Sequence, residues 1–198
     1  MSGFLLTKVE NTKSDNITKA YQLKMLAASI SVGVIAGIVT THIRLHLGLP
    51  GHKVLFWLTP VIIARLLSHF KLGTTTGAFS AALTCFMSGG NLAGGIFGLP
   101  IIVFSGIILD VVINSLEKRQ IPFYQAIVVI GATAMIANLL CFTKRLLVPA
   151  GPSPHFLFGN PGFWANLISY AFFGLSAGLI AVVFVRITNR YKNQRRIN

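Results

Sequence analysis

The sequence predicts an all-α integral membrane protein, a bundle of six transmembrane helices with both termini cytoplasmic. Three observations lead there. Hydrophobic residues make up 54% of the 198 positions and charged residues only 11%, against about 25% charged in ordinary globular chains. Mean hydropathy is +0.72, and the apolar residues are gathered in long blocks. The net charge of +13, from 17 basic and 4 acidic residues, is distributed by side of the membrane rather than along one binding face.

A helix needs about 20 mostly apolar residues to cross a hydrocarbon core of about 30 Å. Six stretches qualify. Residues 1–24 are polar and too long for the n-region of a cleaved signal, so they are expected to form a cytoplasmic tail. The first span runs from Met25 to Thr41, the second from Val54 to Phe70, and the third from Gly73 to Ser88. The fourth covers Leu92 to Ile113 and is interrupted by Pro100. The fifth extends from Phe123 to Phe142 and the sixth from Phe163 to Val185. The membrane domain is thus 25–185, and 186–198 form a basic cytoplasmic tail. No soluble domain fits in what remains.

The basic residues then set orientation. Lys8, Lys13, Lys19 and Lys24 precede the first span, Arg65 and Lys71 flank the second link, and Lys118 and Arg119 the fourth. Arg186, Arg190, Lys192, Arg195 and Arg196 end the chain. Only Arg44, Lys53, Lys144 and Arg145 fall on the other side. By the positive-inside rule both termini are cytoplasmic. The charge therefore reports topology, and nucleic acid is not an expected partner.

Without a hydrophobic drive in lipid, helices associate through close packing of small residues. Ala28, Ser29, Gly33 and Gly37 form a ridge on the first helix, with Ala36 alongside. The third helix has Gly73, Gly77 and Ala81 at the same spacing, and the sixth has Gly174 and Gly178. Such a ridge either packs inside the chain or docks a separate membrane subunit. The stretch SGGNLAGGIFGLP (Ser88 to Pro100) is either a tight external hairpin or non-helical backbone at membrane depth, the latter tolerated where protein or a cavity covers it.

Asp110 is an acid inside a predicted span, where charge is costly and usually paired or functional. Arg65 lies at similar depth on the second helix, so an Arg65–Asp110 ion pair is expected. The alternative is an ion-gradient-coupled carrier with Asp110 as its proton site. The outer side collects another set. His42, Arg44, His46, His52, Lys53 and Trp57 surround the first external loop, and Asn91 sits in the glycine-rich link. Asn138 lies on the fifth helix, followed by His155, Asn160, Trp164 and Tyr170. Imidazoles, amides, aromatics and a few cations without a carboxylate suit a small, partly aromatic ligand bearing a carboxylate or phosphate. Otherwise the tryptophans are interfacial belt residues. The Pro- and Gly-rich loop 146–164 is expected to be ordered and able to act as a lid.

Six spans in about 200 residues, LKMLAASISVGVIAGIVTT (Leu23 to Thr41) and KLGTTTGAFSAALTCFMSGG (Lys71 to Gly90) carry a resemblance of texture. The chain resembles the substrate-binding S components of energy-coupling factor (ECF) vitamin transporters over about residues 20–190. The resemblance implies a vitamin-like substrate bound near the outer face. It also implies a transmembrane coupling subunit docked on Ala28, Ser29, Gly33 and Gly37, and separate ATPase subunits. Metal-ion-binding members of that family need an early N-terminal histidine. None precedes His42, so a metal substrate is disfavoured.

No GxxxxGK[ST] loop occurs, so ATP would have to be hydrolysed by a partner. No cofactor is expected, and no CxxC or Cys/His spacing announces a metal; Cys85 and Cys141 both fall in predicted helices. The rival class is a membrane hydrolase or transferase using the external histidines, whose near-neutral pKa suits acid–base chemistry. No GxSxG elbow accompanies them. A structural or assembly factor is a third class, which the sequence neither marks nor excludes.

Overall fold

The computed structural model describes residues 14–43, 50–89, 98–119, 121–147 and 161–194. Among these, all regular structure is helical: α1 (Ser14–His42), α2 (Val54–Ser68), α3 (Gly73–Met87), α4 (Gly98–Arg119), α5 (Phe123–Leu147) and α6 (Pro161–Gln194). Each follows one of the apolar blocks, but the ends differ from the sequence expectation. α1 begins at Ser14 rather than Met25, and α6 continues to Gln194, because Lys, Arg and Gln sustain a helix well once it has nucleated. α4 starts at Gly98, so Pro100 lies in its first turn, where its missing N–H breaks no helical bond.

Four helices are long and apolar enough to cross a membrane: residues Lys19–His42, Gly98–Arg119, Phe123–Thr143 and Gly162–Tyr191. α2 and α3 have 15 residues each, or about 22 Å at about 1.5 Å per residue. That is short of the thickness expected from the sequence, which counted both as full spans.

The helices pack in the order α1–α3–α4–α5–α6–α2, with α2 closing on α1 and also touching α3 across the ring. α1 and α3 run parallel: a Cβ on Gly37 would lie 2.6 Å from the Ala81 carbonyl oxygen, and Thr41 Oγ1 donates to Cys85 Sγ at 3.2 Å. α5 and α6 are antiparallel, Gly178 lying against Gly131 and Gly174 against Ala134. The start of α1 and the finish of α6 therefore share one end of the bundle, called proximal below. The α1–α2, α3–α4 and α5–α6 connections share the distal end.

Small residues occupy much of the core, and many large apolar residues face outward. Ala36, Ala78, Ala81, Ala134, Ala137, Ala177 and Ala181 are sealed in the core, while Ile35, Phe104, Val128, Ile168 and Phe172 are more than half exposed. Small residues inside allow close helix approach, and large apolar residues outside meet lipid at no cost. That pattern, with four spanning-length helices, makes this an α-helical membrane protein.

The ridge on α1 is used within the chain. Ser29, Gly33 and Gly37 are buried against Gly77, Ser80 and Ala81 of α3, and Ala28 faces outward. The expected docking of a separate subunit on Ser29, Gly33 and Gly37 is thereby replaced by an α1–α3 contact. The face a partner would need is already filled by another helix.

Candidate functional site

The densest polar constellation is at the proximal end. Arg65 is fully buried on α2. Its Nη1 and Nη2 donate to Glu117 Oε1 and Oε2 at 3.1 and 2.9 Å, a two-pronged pairing, and Nη2 also donates to Asn114 Oδ1 at 2.6 Å. Nε stands 3.4 Å from Asp110 Oδ1 and makes no hydrogen bond, so that approach is electrostatic. The Arg65–Asp110 pair is thus present, within a larger network. His69 Nδ1 lies 3.1 Å from Glu117 Oε1, and Asn114 Nδ2 donates to the Lys71 carbonyl at 3.1 Å.

Local structure explains the assembly. Asp110, Asn114 and Glu117 are spaced four and three residues apart, which puts them on one face of α4. Arg65 and His69 are likewise one turn apart at the finish of α2. His69 closes that helix in the left-handed region (φ 53°), its N–H returning to the Arg65 carbonyl at 3.0 Å. Gly73 opens α3 directly beside Arg65, and a Cβ there would come within 2.9 Å of Arg65 Cδ. Asp110 caps α3 from another helix. Its Oδ1 accepts from the Thr74 amide at 3.0 Å, and its Oδ2 from the Thr75 amide at 2.8 Å and hydroxyl at 2.6 Å. A carboxylate at a helix start satisfies orphan N–H groups and complements the positive end of the helix dipole. The network joins α2, α3 and α4. Asp110 holds three donors and faces an arginine, an arrangement that fastens these helices together.

The distal end holds the residues expected to bind ligand. Arg44, His46, Asn91, His155 and Asn160 lie outside the described residues, as do the glycine-rich segment 90–97 and the 148–160 part of the expected lid; Lys53 is half-buried at the start of α2. The structure brings Asn138 and Tyr170 together: Asn138 Nδ2 donates to the Tyr170 carbonyl at 2.7 Å. Ser169 Oγ donates to the Pro50 carbonyl at 2.7 Å, and Gly51 (φ 86°) lets the turn before α2 approach the Tyr170 ring. Phe142 joins Phe163 and Tyr170, with ring centroids 5.5 and 5.2 Å apart, and His52 meets Phe173 edge-on at 6.3 Å.

These contacts revise three assignments. Trp57, Asn138 and Tyr170 are buried and committed to packing, so they fix the distal turn instead of lining an open pocket. Trp57 is also not a belt residue, because its ring lies in the core. Trp164 is exposed and stands edge-on to Phe163, while His42 is exposed at the finish of α1. A shallow apolar hollow of about 380 Å³ is lined by Pro100, Ile101, Phe104, Leu140 and Thr143, none of which belongs to the expected set. Among the described residues no group of three or more His, Cys, Asp or Glu is arranged so that it could hold a metal ion. Cys85 is a buried free thiol, so no disulfide links it to Cys141.

Asn138→Ala removes the donor to the Tyr170 carbonyl. It is expected to lower stability by about 1–2 kcal/mol, the range for one buried hydrogen bond with some lost packing. Thermal unfolding in detergent reads this, with faster amide exchange over His52–Phe56 as the local sign.

The sequence reading missed Asn114, Glu117 and His69. The signal was present in the four-and-three spacing on α4 and the four-residue spacing on α2. Comparison with known protein families, with characterised proteins and with solved structures finds no match to this chain.

Proposed function

We propose that the chain is a membrane-embedded binding subunit for uptake of a small, vitamin-like molecule, energised by a separate ATPase complex. The contrast between the two ends of the bundle supports this most. The proximal end has short connections, between Ser68 and Gly73 and between Arg119 and Phe123, and is fastened by the Arg65 network. The distal end has the three longer connections. No acidic residue occurs between Val39 and Leu109 or after Glu117, so those connections carry imidazoles, amides and cations without a competing carboxylate. That chemistry suits an anionic ligand arriving from the distal side.

In this reading all six helices span, the shorter α2 and α3 sheltered by longer neighbours with the bilayer thinned around them. Both termini are cytoplasmic in the plasma membrane, following the basic residues, and the distal end is external. His42, His52, Lys53 and Trp164 are the described residues left to meet ligand, with Arg44, His46, Asn91, His155 and Asn160 as their companions from the loops. A coupling subunit would use the outward face of α1 beside Ala28, since Gly33 and Gly37 are occupied.

The purified chain is expected to gain thermal stability on titration with one class of small carboxylates or phosphates, saturably and without a partner. The double variant His52→Ala, Lys53→Ala should lose most of that gain while its ligand-free unfolding temperature stays near that of the parent. Conversion of the ligand, abolished in His42→Ala or His52→Ala, would instead move the protein to the membrane hydrolases or transferases.

A further inference from the structure

We propose that the proximal corner formed by the finish of α4, the start of α5 and the finish of α6 binds the headgroup of an anionic phospholipid. The Arg186 guanidinium carbon stands 3.9 Å from the centre of the Phe123 ring, which pins the last part of α6 to the first turn of α5. Lys118 and Arg119 end α4 just before that turn, and Arg190 follows one turn after Arg186. All four cations are exposed.

Among the described side chains, no carboxylate near this corner is available to neutralise them. Asp110 is held by the start of α3, and Glu117 is paired with Arg65 and His69. A guanidinium binds phosphate in two-pronged geometry and keeps its charge at any relevant pH. Stacked on Phe123, Arg186 also loses less freedom when it engages an anion.

Two further observations favour a lipid over a soluble anion. α6 has 34 residues, about 51 Å at about 1.5 Å per residue, so it overruns a hydrocarbon core of about 30 Å. Its last turns therefore stand at headgroup height. The corner is continuous with apolar surface on the same helices, where Val183, Phe184, Ile187 and Val128 are exposed, and Tyr124 and Tyr191 are exposed where rings with a polar tip favour the interface. A phosphate here would have its acyl chains beside these residues.

The test is native mass spectrometry of the full chain in detergent, titrated with phosphatidylglycerol or with phosphatidylcholine of the same acyl chains. Phosphatidylglycerol is expected to be retained on the order of tenfold better, and Arg190→Gln to cut that retention about fivefold, as one interfacial cation near anionic lipid would. Arg190→Lys should keep most of the retention. Lys19→Gln, which removes the same charge at the same end but on α1, should change nothing. Arg186→Gln should act like Arg190→Gln; because its stacking on Phe123 also holds the fold, the Arg190 variants decide if it does not assemble. Equal retention of the two lipids would overturn the proposal, as would equal losses in Arg190→Gln and Lys19→Gln. Full competition by soluble glycerol phosphate would also overturn it, by making the corner a site for a free anion. This inference does not depend on the proposed uptake function.

Discussion

Gly33→Leu is expected to disrupt the bundle, with a loss of at least about 3 kcal/mol, the upper range for overpacking a tight contact. A Cβ on Gly33 already falls inside the contact surfaces of Ser80 Oγ and the Gly77 carbonyl oxygen, and one on Gly77 would lie 2.8 Å from Val61. Two of the three groups are backbone or branched side chain, so no flexible tip can swing away. In lipid the pushed-apart helices would also forfeit dispersion contacts without a compensating hydrophobic drive. Thermal unfolding in detergent, followed by fluorescence of the buried Trp57, reads the loss. Ala28→Leu on the outward face is the control and should be neutral. A ridge that served only to dock another subunit would leave Gly33→Leu as stable as the parent, so the experiment separates the two uses of these glycines.

Arg65→Leu is expected to cost about 3 kcal/mol or more, because it leaves the buried Asp110 without a counter-charge and Glu117 with His69 alone. Glu117 would lose both donors from Arg65, and Asn114 the one that meets its Oδ1. Asp110 would keep the Thr74 and Thr75 donors, so α3 should retain its cap. The double variant Arg65→Leu, Glu117→Leu is therefore expected to be more stable than Arg65→Leu alone, since it removes the orphaned charge with its partner. Unfolding midpoints of the two singles and the double give the coupling. Additive losses would mean that the pairing contributes nothing of its own.

Much of this architecture was legible in the sequence. Apolar blocks announce helices because lipid demands that every backbone group be bonded within its own segment, and six blocks became six helices. The bounds of α2 and α3 were legible to within two residues, the expected Val54 to Phe70 and Gly73 to Ser88 becoming Val54–Ser68 and Gly73–Met87, while the left-handed turn at His69 that stops α2 was not. The small residues of α1 were visible as a ridge. What filled the ridge was not, because four-residue spacing specifies closeness without specifying the neighbour. Depth alone suggested Arg65 with Asp110. Glu117 lies beyond the apolar block that ends at Ile113, and the helical continuation of α4 to Arg119 carries it onto the same face. At the distal end, amides and aromatics have the same composition whether they line a cavity or fill one. Asn138, Trp57 and Tyr170 fill one.

The central claim, a subunit that binds a small anionic molecule from the distal side, is tested most directly by its cargo. The chain should be purified alone in mild detergent and denatured, and the released small molecules identified by mass spectrometry. The account predicts one carboxylate- or phosphate-bearing compound in near-stoichiometric amount, strongly depleted from the His52→Ala, Lys53→Ala variant. Absence of any retained compound, together with no saturable stabilisation by added small anions, would contradict it.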